Sequence, residues 1–140
     1  MINRAIVDTG PLAAMLDRDE EHHEWAVEQI KSFRPPLLVC EAVLTEAIFL
    51  LKRAQIAPEV IFGLLESGAM TVRFSLIENV SSVRSLLHKY HDKDISLADA
   101  CLIRMSELYE NHAVLTLDSD FHIYRKHGRQ SIELIFPSKR

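Results

Sequence analysis

The stretch Ala113-Val-Leu-Thr-Leu-Asp-Ser-Asp-Phe-His122 joins an apolar run to two acidic residues that a single serine separates. The run 114–117 predicts a short buried strand with Asp118 directly after it. A second run of the same form, Arg4-Ala-Ile-Val-Asp8, lies near the N-terminus, and Gly10-Pro11 stops it. Aspartate often follows strands because it forms turns well, so either acid alone has an ordinary structural explanation.

Strands alternate with helices along the rest of the chain. Further strands are predicted at 37–40, 70–74 and 132–136, and helices at 21–33, 41–54, 58–68, 77–90 and 97–109. The strands are apolar throughout rather than at every second residue, which is typical of a parallel sheet covered on both faces. We therefore expect an α/β fold in one domain spanning residues 1–140: a three-layer α/β/α sandwich with a mainly parallel central sheet of about five strands.

The composition is that of an ordinary globular protein, with 48% apolar and 26% charged residues among 140. The apolar run 47–51 is far too short to cross a membrane, and no signal peptide is recognisable, so a cytoplasmic protein without a membrane partner is expected. Cys40 and Cys101 are expected to fill the core as free thiols. The net charge of −4 argues against a protein that coats nucleic acid, but an enzyme can meet phosphates through bound cations.

Two further acids lie in predicted helices beside apolar residues. The neighbours of Glu46 at three and four positions are all apolar: Ala42, Val43, Phe49 and Leu50. Its side chain is therefore expected to project from an apolar stripe and to need a partner, a cation or a raised pKa. A glutamate that extends to solvent at the edge of the helix is the alternative. Asp99 stands in Ser96-Leu-Ala-Asp99, which fits a capping box, and it also lies beside core positions. The capping role and a chemical role can coexist.

These four acids should meet at one edge of the sheet, because two follow strands and two lie in early turns of helices. Clustered carboxylates repel one another unless cations lie between them. Ligand sets made only of oxygen suit Mg²⁺ or Mn²⁺, and one or two such ions can polarise a phosphate and activate water. The predicted chemistry is hydrolysis of a phosphodiester.

At these residues the sequence resembles the PIN domain family of metal-dependent nucleases, in particular the VapC-type toxins of bacterial and archaeal toxin–antitoxin pairs. Four pieces carry the resemblance, in the family's order: Ile6-Val-Asp-Thr-Gly-Pro-Leu12, Thr45-Glu46, Ser96-Leu-Ala-Asp-Ala100 and Leu115-Thr-Leu-Asp-Ser-Asp-Phe121. The resemblance covers essentially the whole chain. It implies an acidic metal-binding pocket and two hydroxyl residues that orient a carboxylate or water. The acids are Asp8, Glu46, Asp99 and Asp118, and the hydroxyl residues are Thr9 and Thr116.

The resemblance also implies an endoribonuclease with one or two Mg²⁺ or Mn²⁺ ions, an antitoxin protein as partner and a homodimer. We interpret Asp120 as subordinate to Asp118, either supporting it or acting as an alternative ligand when a second ion binds. Three basic residues could contact RNA phosphates, with a solvated loop as the alternative: Arg125, Lys126 and Arg129. Tyr124 could stack on a base.

Other functions remain open from the sequence. One is a non-catalytic PIN module that binds RNA or a protein partner, and another is a metal-dependent nuclease that acts on structured DNA. His88 and His91 have a spacing loosely typical of a zinc site, but no second ligand pair accompanies them. The glycines never form a phosphate-binding loop pattern.

Overall fold

A computed structural model describes residues 2–138. It contains a five-stranded sheet with strand order β3-β2-β1-β4-β7, in which every neighbouring pair is parallel. Its strands are β1 (Arg4–Val7), β2 (Leu37–Val39), β3 (Met70–Val72), β4 (His112–Leu115) and β7 (Leu134–Ile135). A separate antiparallel hairpin is formed by β5 (Arg125–Lys126) and β6 (Gln130–Ser131). The predicted α/β fold with a mainly parallel sheet is confirmed.

Six α-helices flank the sheet within residues 2–138. They are α1 (Thr9–Leu16), α2 (His23–Ser32), α3 (Glu41–Arg53), α4 (Glu59–Ser67), α5 (Val80–Lys89) and α6 (Leu97–Leu108). Short 3₁₀ turns occupy Ile77–Asn79, His91–Lys93 and Ser119–His122. Across the described residues, none of the helices combines the length and the apolar character that a membrane crossing requires.

The core is built around β1, which pairs with β2 on one side and β4 on the other. Ala5, Ile6 and Val7 are fully buried, as expected for a central strand with helices on both faces. Cys40 and Cys101 are buried free thiols within the same core. The apolar strand pattern therefore reflects burial on two faces.

The chain passes directly from β1 into α1, a helix that the sequence did not predict. Gly10-Pro11 predicts only the end of a strand, but Pro11 is the third residue of α1. Proline is tolerated there because the backbone N–H groups of a first helical turn need no partner within the helix. A Cβ atom at Gly10 would lie 3.3 Å from the Leu117 side chain, so the glycine allows α1 to approach the segment after β4.

Strand β4 ends two residues earlier than predicted. Val7 is in register with Leu115, and the residue after β1, Asp8, is the N-cap of α1. The apolar pattern extends the predicted strand to Leu117, but after the Asp8 N–H has donated to the Leu115 carbonyl the first segment turns into α1 and provides no further strand residues for pairing. The first residue after β4 is therefore Thr116, which lies beside Asp8, and Asp118 follows two residues later.

The core position of α6 leads to a stability prediction. Leu102 is fully buried, whereas Leu108 on the same helix is 42% exposed. We expect Leu102→Ala to lower the free energy of unfolding by about 2–5 kcal/mol, because it removes apolar contacts and leaves a cavity. We expect Leu108→Ala to change it by less than about 1 kcal/mol. Urea unfolding followed by circular dichroism measures both, and equal losses would contradict the described packing of α6.

Candidate active site

A pocket of about 380 Å³ opens at the carboxyl ends of β1 and β4. The four carboxylates predicted from the sequence all line it, although they come from distant parts of the chain. The lining residues are Asp8, Thr9, Gly10, Glu46, Ser96, Asp99, Leu117 and Asp118. Gly10 and Leu117 were not singled out from the sequence as pocket residues, although both lie inside the motifs that carry the family resemblance.

Asp8 is the buried acid of the pocket. It caps the N-terminus of α1, and its Oδ1 accepts a hydrogen bond of 2.7 Å from the backbone N–H of Thr9. The hydroxyl of Thr116 donates a second bond of 2.7 Å to Oδ2. Both oxygens are thus held by neutral donors, one from α1 and one from the end of β4.

The pKa of Asp8 is raised to about 6, mainly by burial and to a smaller extent by the nearby carboxylates of Asp99 and Asp118. The hydrogen bonds from Thr116 and Thr9 oppose this shift without reversing it. Burial of a charge without an opposite charge nearby is the physical cause. The shift shows that the fold holds this carboxylate in a place where its ionised form is unfavourable.

Glu46 lies at the outer edge of the pocket, on α3. Its side chain is exposed, so the expectation that it projects from a desolvated apolar stripe is wrong. Of its four apolar neighbours only Val43 is fully buried, and Phe49 is 60% exposed, because the face of α3 that packs against the core is formed by Val43, Ala47 and Leu51 and does not include Glu46. Glu46 has a partner nonetheless, since the Thr9 hydroxyl donates to its Oε1 at 2.8 Å.

Asp99 is half-buried in the first turn of α6. The capping box predicted from the sequence is present: the Asp99 N–H donates to Ser96 Oγ, and the Ser96 N–H donates to Asp99 Oδ2. Burial raises the pKa of Asp99, and the carboxylates of Asp118 and Glu46 raise it as well. Asp99 therefore caps a helix and also belongs to the group of interacting acids.

Asp118 and Asp120 occupy different positions. Asp118 lines the pocket and caps the turn Ser119–His122, with its Oδ1 accepting the Asp120 N–H at 2.9 Å. The Asp118 N–H donates to Thr116 Oγ1 at 3.0 Å, so one threonine hydroxyl contacts both Asp8 and the Asp118 backbone. Asp120 lies within the turn and is not among the residues that line the pocket.

The basic residues considered for RNA contact lie on or beside the β5–β6 hairpin. The Arg125 guanidinium donates to the backbone carbonyls of three preceding residues, His122, Ile123 and Tyr124, so it stabilises the chain there. Lys126 is half-buried and Arg129 is exposed. Tyr124 is fully buried, which excludes the predicted stacking on a base.

The donor set of the pocket fits a hard divalent cation. Every candidate ligand is a carboxylate oxygen, and none of the four acids forms an ion pair with a basic side chain among residues 2–138. Over the same residues, no three acidic, histidine or cysteine side chains converge closely enough to chelate one ion. Mg²⁺ commonly takes only one or two carboxylates and completes its shell with water, so a pocket with separated carboxylates is compatible with it.

Residues 5–126 match the PIN domain family. This chain belongs to the PIN domain family. The match includes all four acids and ends within β5, so β6 and β7 follow the matched part. The sequence is also 29% identical over 115 residues to ribonuclease VapC26 of Mycobacterium tuberculosis (strain ATCC 25618 / H37Rv), which covers 81% of this chain and 85% of that protein. The predicted likeness to VapC-type PIN domains is confirmed.

The raised pKa of Asp8 predicts that the free energy of unfolding of the metal-free PIN domain depends on pH. The folded chain keeps the Asp8 proton up to about pH 6, whereas an unfolded chain releases it near 3.8. Folding thus favours the protonated form, and stability is lost as the pH rises through this interval. We expect the wild type to lose about 2 kcal/mol relative to Asp8→Asn between about pH 4 and pH 7.

Urea unfolding of both proteins in the presence of a chelator, at several pH values, measures this difference. Any constant effect of losing one hydrogen bond in the asparagine variant cancels when values at different pH are compared. A difference in free energy that does not change with pH would contradict the assignment.

Proposed function

We propose that this chain is a single PIN domain acting as a metal-dependent endoribonuclease, which hydrolyses RNA phosphodiester bonds with one or two Mg²⁺ or Mn²⁺ ions. The observation that carries the proposal is the convergence of four carboxylates in one pocket without a basic partner among residues 2–138. Such a cluster is unfavourable by itself and becomes favourable when a cation binds. The name of the relative, a ribonuclease, supports RNA as the substrate class.

The residues of the pocket have separable roles in this proposal. Asp8, Asp99 and Asp118 would hold the cation between them, one or two by direct ligation and the rest through its water molecules, and Glu46 contributes from the exposed edge. When bound, the divalent ion supplies charge neutralisation and polarisation of the phosphate. Thr116 keeps the Asp8 carboxylate in a fixed orientation, and Thr9 does the same for both Asp8 and Glu46. Asp120 supports the turn that carries Asp118 or serves as a ligand when a second ion binds.

We propose further that the chain is the toxin of a VapBC-type pair, with an antitoxin protein as partner, and that it forms a homodimer in the cytoplasm. The likeness to a VapC ribonuclease supports this role. Large apolar side chains on α3 and α4 remain exposed, Phe49 at 60% and Phe62 at 48%. Such exposure supports contact with another protein chain. Among the basic residues, Lys126 and Arg129 are the candidates for contact with RNA phosphates.

The proposal is tested by incubating the protein with a panel of RNAs in Mg²⁺, in Mn²⁺ and in chelator. We expect cleavage with either ion and none in chelator. Asp8→Asn and Asp99→Asn should each lower the rate by at least about 100-fold, because each removes a charge that the cation needs. Asp19→Asn is the matched control, since Asp19 is exposed and does not line the pocket.

Each other outcome identifies a different function. Cleavage that persists in chelator, or in both pocket variants, would exclude the metal mechanism. Loss of all cleavage under every condition, with binding of RNA or a partner protein intact, would indicate a non-catalytic PIN module. Cleavage of structured DNA in place of RNA would change the substrate class and leave the metal site as proposed.

The order of the two acids after β4 is tested by comparing Asp118→Asn with Asp120→Asn. Asp118 lines the pocket, and the turn depends on the Asp120 backbone N–H rather than on its side chain. We expect a loss of cleavage of about 100-fold for Asp118→Asn and below about 10-fold for Asp120→Asn at saturating Mg²⁺. A larger loss at Asp120 would reverse the order.

A further inference from the structure

Tyr124 is a fully buried phenol whose hydroxyl reaches the acidic pocket. Its oxygen lies 3.4 Å from Asp99 Oδ2. Its ring packs edge-to-face against Tyr90, with centroids 4.9 Å apart, and against Phe121, at 5.0 Å. Contacts on two sides fix the ring, so the position of the hydroxyl is set by the packing around it.

The direction of this hydrogen bond follows from the chemistry of the two groups. A buried hydroxyl requires a partner, and Asp99 is the partner of Tyr124 within residues 2–138. An ionised carboxylate can only accept, so the phenol donates. Burial raises the pKa of Tyr124, and the carboxylates of Asp99, Asp120 and Asp118 raise it further, which keeps the donor proton in place.

The bond distinguishes the two oxygens of Asp99. Oδ2 accepts from the Tyr124 hydroxyl and also from the Ser96 N–H at 3.3 Å. Within residues 2–138 both of these hydrogen bonds fall on Oδ2, and neither involves Oδ1. Two donors on one oxygen resist rotation of the carboxylate, and the other oxygen stays available to a ligand in the pocket.

Tyr124 also connects two sides of the pocket, one through its backbone and the other through its hydroxyl. Its backbone N–H donates to the Asp120 carbonyl at 3.1 Å, within the segment that Asp118 begins. The N–H of the next residue, Arg125, donates to the Tyr90 hydroxyl at 3.0 Å. Tyr124 therefore joins the segment that begins at Asp118 to Asp99 on α6. The Tyr90 hydroxyl instead accepts a hydrogen bond from the backbone at the start of the β5–β6 hairpin.

We propose that Tyr124 is the positioning residue for Asp99, holding Oδ2 so that Oδ1 is presented to a divalent cation in the pocket. This inference rests on the proposed function for the presence of the cation. It concerns cation binding, so it is measured separately from RNA cleavage.

The test is a calorimetric titration of the full chain with Mn²⁺. Tyr124→Phe keeps the ring and removes only the donor, and we expect it to raise the Mn²⁺ dissociation constant by about 10-fold or more. The Mn²⁺ concentration for half-maximal RNA cleavage should rise by a similar factor, with most of the maximal rate recovered at saturating Mn²⁺. In the background of Asp99→Asn, the same substitution should cause no further loss of affinity.

Tyr90→Phe is the matched control, because it removes a phenol from the same aromatic cluster without touching an acid. We expect it to leave the Mn²⁺ affinity unchanged within about 2-fold, whatever its effect on stability. Circular dichroism establishes that each variant is folded before titration.

Three results would overturn the inference. They are an unchanged Mn²⁺ affinity in folded Tyr124→Phe, an equal loss in Tyr90→Phe, and a further loss in the double variant. A wild-type protein that binds no Mn²⁺ would overturn both this inference and the proposed function. A wild type that binds Mn²⁺ but cleaves no RNA would overturn only the proposed function, and Tyr124 would still be judged on affinity.

Discussion

The Asp8 carboxylate is buried where β1 ends, and its two oxygens accept hydrogen bonds from the Thr9 N–H and the Thr116 hydroxyl. These donors fix its position but carry no charge, so its pKa remains raised, at about 6. A buried charge becomes favourable only when an opposite charge joins it. Because β1 is the central strand of the core, this carboxylate cannot move to solvent without disrupting the strand. The packing that stabilises the fold therefore also holds a carboxylate where its ionised form is unfavourable.

Sheet topology explains how the other acids come to the same place. Parallel strands direct their carboxyl ends to one edge, and helices begin there. Asp8 caps α1, Asp99 lies in the first turn of α6, and Asp118 caps the turn after β4. The partial positive charge of a helix N-terminus stabilises a nearby carboxylate, which offsets part of the repulsion within the cluster. This offset allows the acids to be close in the metal-free fold, and the raised pKa values of Asp8 and Asp99 show that it is incomplete.

Short sequence patterns predicted those parts of the structure that depend mainly on neighbouring residues in the chain. The capping box that begins at Ser96 specified the start of α6, and uninterrupted apolar residues specified the central strand. The features that were not predicted correctly depend on contacts between distant parts of the chain. Helix α1 was missed because whether Pro11 ends a strand or sits in a first helical turn depends on what the following residues pack against. The exposure of Glu46 was missed because helical spacing shows which residues share a face but not which face is covered. Burial of Tyr124 likewise depends on a distant aromatic partner, Tyr90, which follows α5.

Thr9 shows how a single residue links the buried and exposed parts of the site. Its backbone N–H donates a hydrogen bond to Asp8, and its hydroxyl donates one to Glu46 on α3. The first residue of α1 therefore connects a buried acid to an exposed one. Water screens the charge at the exposed position, so the unfavourable electrostatic energy is concentrated at the inner acids, Asp8 and Asp99, whose pKa values burial raises. The donors that hold those two acids in place, Thr116 and Tyr124, therefore act where the unfavourable electrostatic energy of the metal-free fold is greatest.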